Sequence, residues 1–519
     1  MKLRLGAAAL VAALLCAAGP ASQPKAGFSR DQVRAWRVAH EGAIVAELAD
    51  LMKLPNVAAA DSDMESNAEH VRAILEKRGV ATELLRVEGA PPAVLGELRA
   101  PGASRTVIFY AHYDGQPVDP KQWAGDPWRP VLRDRPLEGG GSEIPWERVS
   151  ASGARLDPEW RLYGRSASDD RAPIVGWMAA LDALQAAGLA RTVNLKFFLE
   201  GEEEAGSPHL EKVLDRYADR LGGDLWLLCD GPVHQSRRMQ VFFGARGVTD
   251  VEMTVYGPTR RLHSGHYGNW APNPAAALVS ILASLRDDEG YPRVPHFSDT
   301  VRPLSAEERR ALAEIPDVGE AMMRELEIVR TEGKGERLAE AIQRPAINIR
   351  GIRAGDVGSA ATNSIPTEAG ASIDFRLVPD QTPEGVRRAV EEHLRSLGYT
   401  IVTDPPDAAA RRAHPKIVRL RWGAGYPGYR IPMDQPISRA VLAAVEAGSG
   451  GPVVRVPSLG GSIPMYLFAE KLGAPVIGIP IANHDNNQHA ANENLRLQNL
   501  WDGIEIYGAL FARLGQLGR

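Results

Sequence analysis

Apolar runs and helical segments alternate along the first half of the chain. Residues 106–110, 193–199 and 225–228 are short, mostly apolar runs, as expected of strands that are buried in a sheet. Residues 66–78 and 173–187 instead carry apolar side chains at helical spacing. This alternation predicts an α/β fold with a mainly parallel sheet.

The pattern changes between residues 248 and 421. It predicts, in order, a strand, a helix, two strands, a helix and a last strand, at residues 248–256, 274–286, 346–352, 368–377, 383–397 and 399–403. This order is that of a ferredoxin-like α+β domain. The charged, helical segment 303–344 interrupts it and is expected to lie on the surface of that domain.

Helix and strand patterns of the first kind return afterwards, at residues 437–447, 475–480 and 494–514. The small domain is therefore expected to be inserted in the larger one. The predicted division is a leader, a first part of the larger domain, the inserted domain and a second part of the larger domain, at residues 1–22, 23–247, 248–421 and 422–519.

The N-terminus has the pattern of a secretory signal peptide. A basic start, an apolar stretch and small residues follow one another at residues 1–4, 5–18 and 19–22. The apolar stretch is too short for a membrane helix, so the protein is expected to be exported, periplasmic or secreted, without stable membrane insertion. Lipid attachment at Cys16 is the alternative, and the bulky Leu15 before it disfavours that reading.

Composition narrows the class of protein. The chain has 519 residues, of which 44% are hydrophobic and 24% charged, which is typical of a soluble globular protein. Its formal net charge of -5 offers no general attraction for a phosphate backbone, so nucleic acid is not an expected partner. The two cysteines, Cys16 and Cys229, cannot form an intrachain disulfide once the leader is removed.

Acidic and histidine clusters follow the predicted strands. They are His112 with Asp114, the segment 168–171, the acidic run 200–207, Asp230, and His489 within 483–493. Taken singly, each has an ordinary explanation as a structural histidine, a helix cap or a solvated turn. Ligands of α/β sheets bind at the carboxyl ends of the strands, and carboxylates held close together there require a cation. Together these residues are the ligand set of a dinuclear zinc hydrolase.

At this point the chain resembles a known family, the dinuclear-zinc metallopeptidases that include carnosinase, other dipeptidases, carboxypeptidase G, aminoacylase and succinyl-diaminopimelate desuccinylase. The resemblance rests on eight ordered motifs: HYDGQP, LYGRSASDDRAP, EGEEEAGS, CDGP, RRLHSGHYG, SIDFRLVP, LGGSIP and HAANE. The LHSG, FRLVP and GGSIP segments favour the carnosinase-like dipeptidase branch. The resemblance implies a catalytic larger domain and an inserted domain that serves as lid and dimerisation domain.

The resemblance also implies roles for single residues. Asp169 would bridge two Zn²⁺ ions, with Co²⁺ or Mn²⁺ as possible substitutes. The other ligands would be His112 and Asp230 for one ion and Glu204 and His489 for the second. Glu203 would be the general base, and Asp114 would orient His112.

Further residues are implied in substrate binding. His263 would stabilise the oxyanion in the active site of the partner subunit of a homodimer, although it could also be an exposed turn histidine. Arg376 would hold a substrate carboxylate, or it could pair with Asp374 or Glu368. Gly460, Gly461 and Ser462 would present backbone N–H groups to that carboxylate.

Two departures from the family pattern bear on substrate preference. Arg171 stands where a lysine is common, and Leu459 stands where related dipeptidases often carry an acidic residue. Neither change affects the predicted metal ligands. Leu459, however, lies beside the predicted carboxylate-binding loop.

The function predicted first is an exported zinc-dependent hydrolase that cleaves dipeptides or small peptides near a free carboxylate. An N-acyl-amino-acid amidohydrolase would use the same metal chemistry on another acyl group, and the sequence leaves both open. A metal-dependent peptide-binding protein without turnover is the third reading. Glu203 disfavours it, because a binding protein needs no additional carboxylate beside the metals.

Overall fold

The computed structural model describes residues 27–58, 63–151 and 153–516, so the predicted signal peptide lies outside the described residues. The helices are α1 Arg30–Met52, α2 Met64–Glu76, α3 Trp146–Ser150, α4 Arg171–Ala186, α5 Leu210–Arg216, α6 Ala218–Leu221, α7 Ser264–Tyr267, α8 Pro274–Leu285, α9 Ala306–Glu314, α10 Gly319–Glu325, α11 Leu338–Ala341, α12 Pro383–Ser396, α13 Ala408–Ala413, α14 Pro436–Ser449, α15 Met465–Leu472 and α16 Leu497–Arg513. The strands are β1 Ala81–Leu85, β2 Ala93–Leu98, β3 Thr106–His112, β4 Val131–Arg133, β5 Arg161–Tyr163, β6 Asn194–Glu200, β7 Leu225–Leu228, β8 Gln240–Phe242, β9 Gly244–Tyr256, β10 Leu262–His263, β11 Ala346–Ala354, β12 Ser364–Ile365, β13 Glu368–Leu377, β14 Thr400–Val402, β15 Ile417–Trp422, β16 Tyr429–Arg430, β17 Val454–Val456, β18 Leu459–Ser462, β19 Val476–Gly478 and β20 Asn494–Arg496. No helix within these ranges combines the length and apolar character needed to cross a membrane.

The larger sheet has the strand order β1-β2-β6-β3-β7-β19-β8-β17. Its centre is parallel, from β6 through β3 and β7 to β19, whereas β1, β2 and β6 pair antiparallel at one edge. Every residue of β7 is buried, which explains its continuous apolar run. The predicted α/β fold with a mainly parallel sheet is therefore confirmed.

Helices cover this sheet. α1, α4 and α16 pack on one another, and Trp177 of α4 contacts Phe109 of β3 and Phe197 of β6. The buried carboxylate of Glu505 in α16 receives hydrogen bonds from Arg34 and Arg37 of α1. A buried carboxylate needs such partners, so these ion pairs fix the first helix against the last.

The smaller sheet has the order β11-β13-β9-β15-β14. β11, β13, β9 and β15 are antiparallel neighbours, and α8 and α12 pack against this unit. The prediction that residues 399–403 form the last strand was wrong, because β15 follows and occupies the place beside β9. Val418 and Leu420 of β15 are buried, whereas all of β14 is half-buried, so burial favours β15 at the inner position.

The segment 303–344 does not lie on the surface of the smaller domain, contrary to the expectation. Its helix α9 packs against β17, the last strand of the larger sheet. Leu312 and Ile315 are buried among side chains of that sheet, and Arg455 of β17 pairs with Glu307. The charged composition suggested a solvated face, but these two apolar residues decide where the helix docks.

One long strand, β9, pairs with other strands along its whole length. The start of β9 pairs with β16 and β18, and the rest of β9 pairs with β13 and β15. Ser462 of β18 lies opposite Arg246, and Arg376 of β13 lies opposite Val248, only two residues farther along β9. β9 therefore brings together residues that are 86 positions apart in the sequence.

Candidate metal centre and substrate cavity

The five predicted metal ligands lie at the carboxyl edge of the larger sheet. His112 ends β3, Glu204 follows β6, Asp230 follows β7, and His489 lies in the loop after β19. These four strands are neighbours in the parallel centre of the sheet. Asp169 stands two residues before the start of α4 and completes the group.

Two sets of possible ligand atoms share Asp169. His112, Asp169 and Asp230 form one group, and Asp169, Glu204 and His489 form the other, with ligand atoms within 4.8 Å of one another in each. Asp169 Oδ1 is 2.9 Å from His112 Nε2, and Asp169 Oδ2 is 3.2 Å from His489 Nε2. His489 Nε2 is also 3.2 Å from Glu204 Oε2. One oxygen of Asp169 thus faces His112 of the first group, and the other oxygen faces His489 of the second group.

The electrostatics of these residues fit divalent cations. Burial and then the charge of Asp169 raise the pKa of Glu204 to about 8 and that of Asp230 to about 6. Although burial opposes it, hydrogen bonds to Asp114 and Asp169 raise the pKa of His112. Divalent ions would neutralise the repulsion between these carboxylates, and the imidazole and carboxylate donors are suitable ligands for them.

Asp114 organises two neighbouring loops. Its carboxylate accepts hydrogen bonds from the backbone N–H groups of Glu203 and Glu204, at 3.1 and 3.0 Å. Asp114 Oδ1 lies 3.3 Å from His112 Nδ1, and the Asp114 carbonyl oxygen lies 3.2 Å from the same nitrogen. Asp114 therefore links the orientation of His112 to the position of the acidic turn.

Glu493 was not among the predicted site residues, yet it holds the Asp169 loop. Its buried carboxylate accepts the backbone N–H groups of Ser166, Ser168 and Asp169, and Arg165 donates to it at 2.9 Å. The signal was present in the HAANE segment, where Glu493 ends the motif that contains His489.

Glu203 lies beside the metal groups, in neither of them. It lines a cavity of about 700 Å³ together with Asp169 and Asp230. Burial, and secondarily the charges of Asp230 and Glu204, raise the pKa of Glu203 well above its usual value. The cavity extends to Gly461 and Ser462. A non-ligand carboxylate thus faces the space between the metal groups and the predicted carboxylate-binding loop.

The contacts of Arg376 are compatible with both of its predicted roles, which are binding a substrate carboxylate and pairing with an acidic residue of the same sheet. Its guanidinium donates to Ser462 Oγ at 2.9 Å and to Asp374 Oδ2 at 3.2 Å. Arg246, which sequence reasoning missed, donates to the carbonyl oxygen of Gly460 at 3.0 Å. Burial and the charge of Arg376 lower the pKa of Arg246 to about 10. Two guanidinium groups beside the single carboxylate of Asp374 leave an excess of positive charge that suits an anion.

His263 lies outside this cavity. It is exposed at the end of β10, directly before α7, and its Nδ1 accepts the backbone N–H of Gly265 at 3.1 Å. β10 pairs only with the short strand β12 among the described residues. Within one chain, the structure therefore does not bring His263 together with the predicted metal ligands.

Comparisons with known proteins identify the family. The model of peptidase family M20/M25/M40 matches residues 108–513. The chain is 27% identical to the Cys-Gly metallodipeptidase dug1 of Schizosaccharomyces pombe, covering 88% of this chain and 90% of that protein. It is 28% identical to the Beta-Ala-His dipeptidase of Homo sapiens, covering 82% and 78%. The M20 family metallo-carboxypeptidase Sso-CP2 from Sulfolobus solfataricus superposes with a TM-score of 0.72 at 25% identity, covering 91% of this chain and 99% of that one.

Proposed function

Because the chain belongs to peptidase family M20/M25/M40 and is a metallopeptidase, we propose that it is a zinc-dependent dipeptidase that cleaves the amide bond next to a residue with a free carboxylate. The observation that carries this proposal is the shared cavity. It joins Asp169 and Glu203 at one end to Ser462, the partner of Arg376, at the other.

The proposed mechanism assigns one task to each end of the cavity. His112, Asp169, Asp230, Glu204 and His489 would hold two divalent ions, which supply Lewis-acid activation of a water molecule and of the substrate carbonyl. Glu203 takes a proton from the attacking water and passes it to the leaving nitrogen. Arg376 and Ser462 fix the substrate carboxylate, so that the scissile bond lies within reach of Glu203.

Dipeptides are the substrates that the relatives favour. Two of the related proteins are named for the cleavage of Cys-Gly and Beta-Ala-His. N-acyl amino acids also end in a free carboxylate, so an amidohydrolase activity remains the second candidate. Hydrolysis of a dipeptide panel and an N-acyl-amino-acid panel, with zinc added and then removed by a chelator, tests the proposal. If the protein hydrolysed neither panel, the proposal would be contradicted.

The remaining sequence expectations stay proposals. They are export by the leader at residues 1–22 and the division of the mature chain into residues 23–247, 248–421 and 422–519. A homodimer through the inserted domain is proposed as well. Trp270 and Val279, which are 79% and 59% exposed on that domain, would be covered by such contacts.

Changing Arg376 to methionine should raise KM for dipeptides about 10–100-fold, because the substrate carboxylate loses a charged hydrogen-bond donor. Zinc content should stay at the wild-type value. C-terminally amidated dipeptides, which the wild-type enzyme should cleave poorly, should be little affected. Arg421→Met, at an exposed arginine of β15 in the same sheet, is the matched control and should leave KM unchanged. Equal cleavage of amides and free acids by the wild type would contradict carboxylate anchoring.

Mixing His263→Ala chains with Glu203→Gln chains should restore activity that neither variant has alone. In a mixed dimer, one active site has an intact Glu203 and receives an intact His263 from the neighbouring subunit. Random exchange makes half of the dimers mixed, so about a quarter of wild-type activity is expected. Subunit exchange is verified by tagging the two chains differently. Exchange without recovery would show that His263 does not act across subunits.

A further inference from the structure

A second cavity adjoins the metal-site cavity. Its volume is about 310 Å³, at the lower end of the range of small-molecule pockets. The two cavities share wall residues, including Pro232, Leu459 and Gly461. A substrate bound at the metal centre could therefore extend a side chain into the second cavity without leaving the site.

The walls of this second cavity are mainly apolar. Ile315, Leu338 and Ile342, all from the segment 303–344, line one side, and Val233 of the larger domain lines another. Leu338 is 44% exposed although it faces a concave space. Apolar side chains left in contact with water inside a concavity are typical of a ligand site.

The charged groups of this wall are already paired. Arg337 donates to the carbonyl oxygens of Leu312 and Ile315, and its Nε lies 3.9 Å from Asp317 Oδ2. Both terminal nitrogens of the guanidinium donate to backbone carbonyl groups, and these contacts hold the chain beyond α9 in place. A charged substrate side chain would lose hydration here against a mainly apolar surface.

A neutral hydrogen-bond donor, the imidazole of His234, also lines this cavity. The backbone N–H of Ser236 donates to His234 Nδ1 at 3.1 Å, so the proton of the neutral imidazole is on Nε2. His234 lines the cavity, and its Nε2 has no hydrogen-bond acceptor among the described residues. Burial and the charge of Arg238 lower the pKa of this histidine, which keeps it neutral.

The geometry of the shared wall indicates which part of a peptide would enter. Ser462, the partner of Arg376, directly follows Gly461, which belongs to both cavities. The Cα of a C-terminal residue is bonded to its carboxylate, so its side chain starts at this wall. Ile342 packs close to this loop, since a Cβ at position 460 would lie 3.4 Å from Ile342 Cγ2.

We infer that the second cavity is the subsite for the side chain of the substrate's C-terminal residue, and that it selects aliphatic and aromatic side chains. This inference rests on the proposed dipeptidase function. It assigns a role in specificity to the segment 303–344, and to Ile342 in particular.

The test compares kcat/KM of the zinc-loaded enzyme for Gly-Leu, Gly-Phe, Gly-Asn and Leu-Gly. Leucine and asparagine have similar shapes, so this pair separates apolar character from size. Gly-Leu and Gly-Phe should exceed both Gly-Asn and Leu-Gly at least about tenfold. Ile342→Trp, which fills the cavity, should remove the preference for Gly-Leu over Gly-Asn. Val329→Trp, at a 99% exposed position of the same segment, should keep it.

A second variant and a binding measurement keep the test decisive. Ile342→Ala enlarges the cavity and should shift the preference from Gly-Leu towards Gly-Phe. This variant tests the subsite even if the tryptophan variant does not fold. Calorimetric binding of the same peptides to the zinc-loaded Glu203→Gln protein does not require turnover. Preferential binding of Gly-Leu without hydrolysis by the wild type would contradict the proposed function and support the subsite. Hydrolysis without a preference for apolar C-terminal residues, or a preference for Leu-Gly, would overturn the subsite alone.

Discussion

Replacing Glu203 with glutamine should lower kcat by at least about 10²–10⁴-fold, the loss typical of removing a general base. The amide keeps the size of the side chain but cannot accept the proton of the attacking water. Glu203 belongs to neither group of possible metal ligands, and its backbone N–H, not its side chain, contacts Asp114. Metal content, measured by mass spectrometry of the purified protein, should therefore remain at the wild-type value.

The matched control for this variant is Glu88→Gln, which makes the same chemical change at an exposed glutamate. It should retain wild-type kcat. A Glu203→Gln enzyme that turns over dipeptides at a near-normal rate would remove Glu203 from its proposed role. Loss of metal in the same variant would instead show that the carboxylate contributes to metal binding.

The larger sheet could be predicted because its central strands carry an unambiguous signal. The run that forms β7 is apolar at every position, and His112, Glu204 and Asp230 stand at or after the ends of β3, β6 and β7. The order of parallel neighbours then brings these side chains to one edge. The family predicted from the eight motifs is confirmed by the match over residues 108–513.

Other features depend on contacts between distant segments. α9 is predominantly charged, and its docking on the larger sheet becomes evident only once Leu312, and Ile315 directly after the helix, are buried there. Arg246 gains its importance from the pairing of β18 and β13 with the same strand β9, which no local pattern encodes. Propensity and periodicity describe single elements, and such tertiary pairings decide the rest.

The shared position of Asp169 predicts the largest change in metal content. Asp169→Ala should lose both ions, because the residue belongs to both groups of possible ligands. Asp230→Ala and Glu204→Ala each affect only one group, so each should retain about one ion per chain. Activity of the Asp169 variant should fall to the background, since both the ions and their bridging carboxylate are absent.

Thermal unfolding separates loss of metal from loss of the fold. A metal that binds only the folded state raises Tm, so zinc should raise Tm of the wild type but not that of Asp169→Ala. Glu493 binds the backbone of the Asp169 loop through the N–H groups of Ser166, Ser168 and Asp169, not through the Asp169 side chain. The metal-free variant should therefore still unfold cooperatively, near the Tm of the chelator-treated wild type. An Asp169→Ala protein that retains two ions would refute a centre built around this carboxylate, and one that retains a single ion would refute its bridging role.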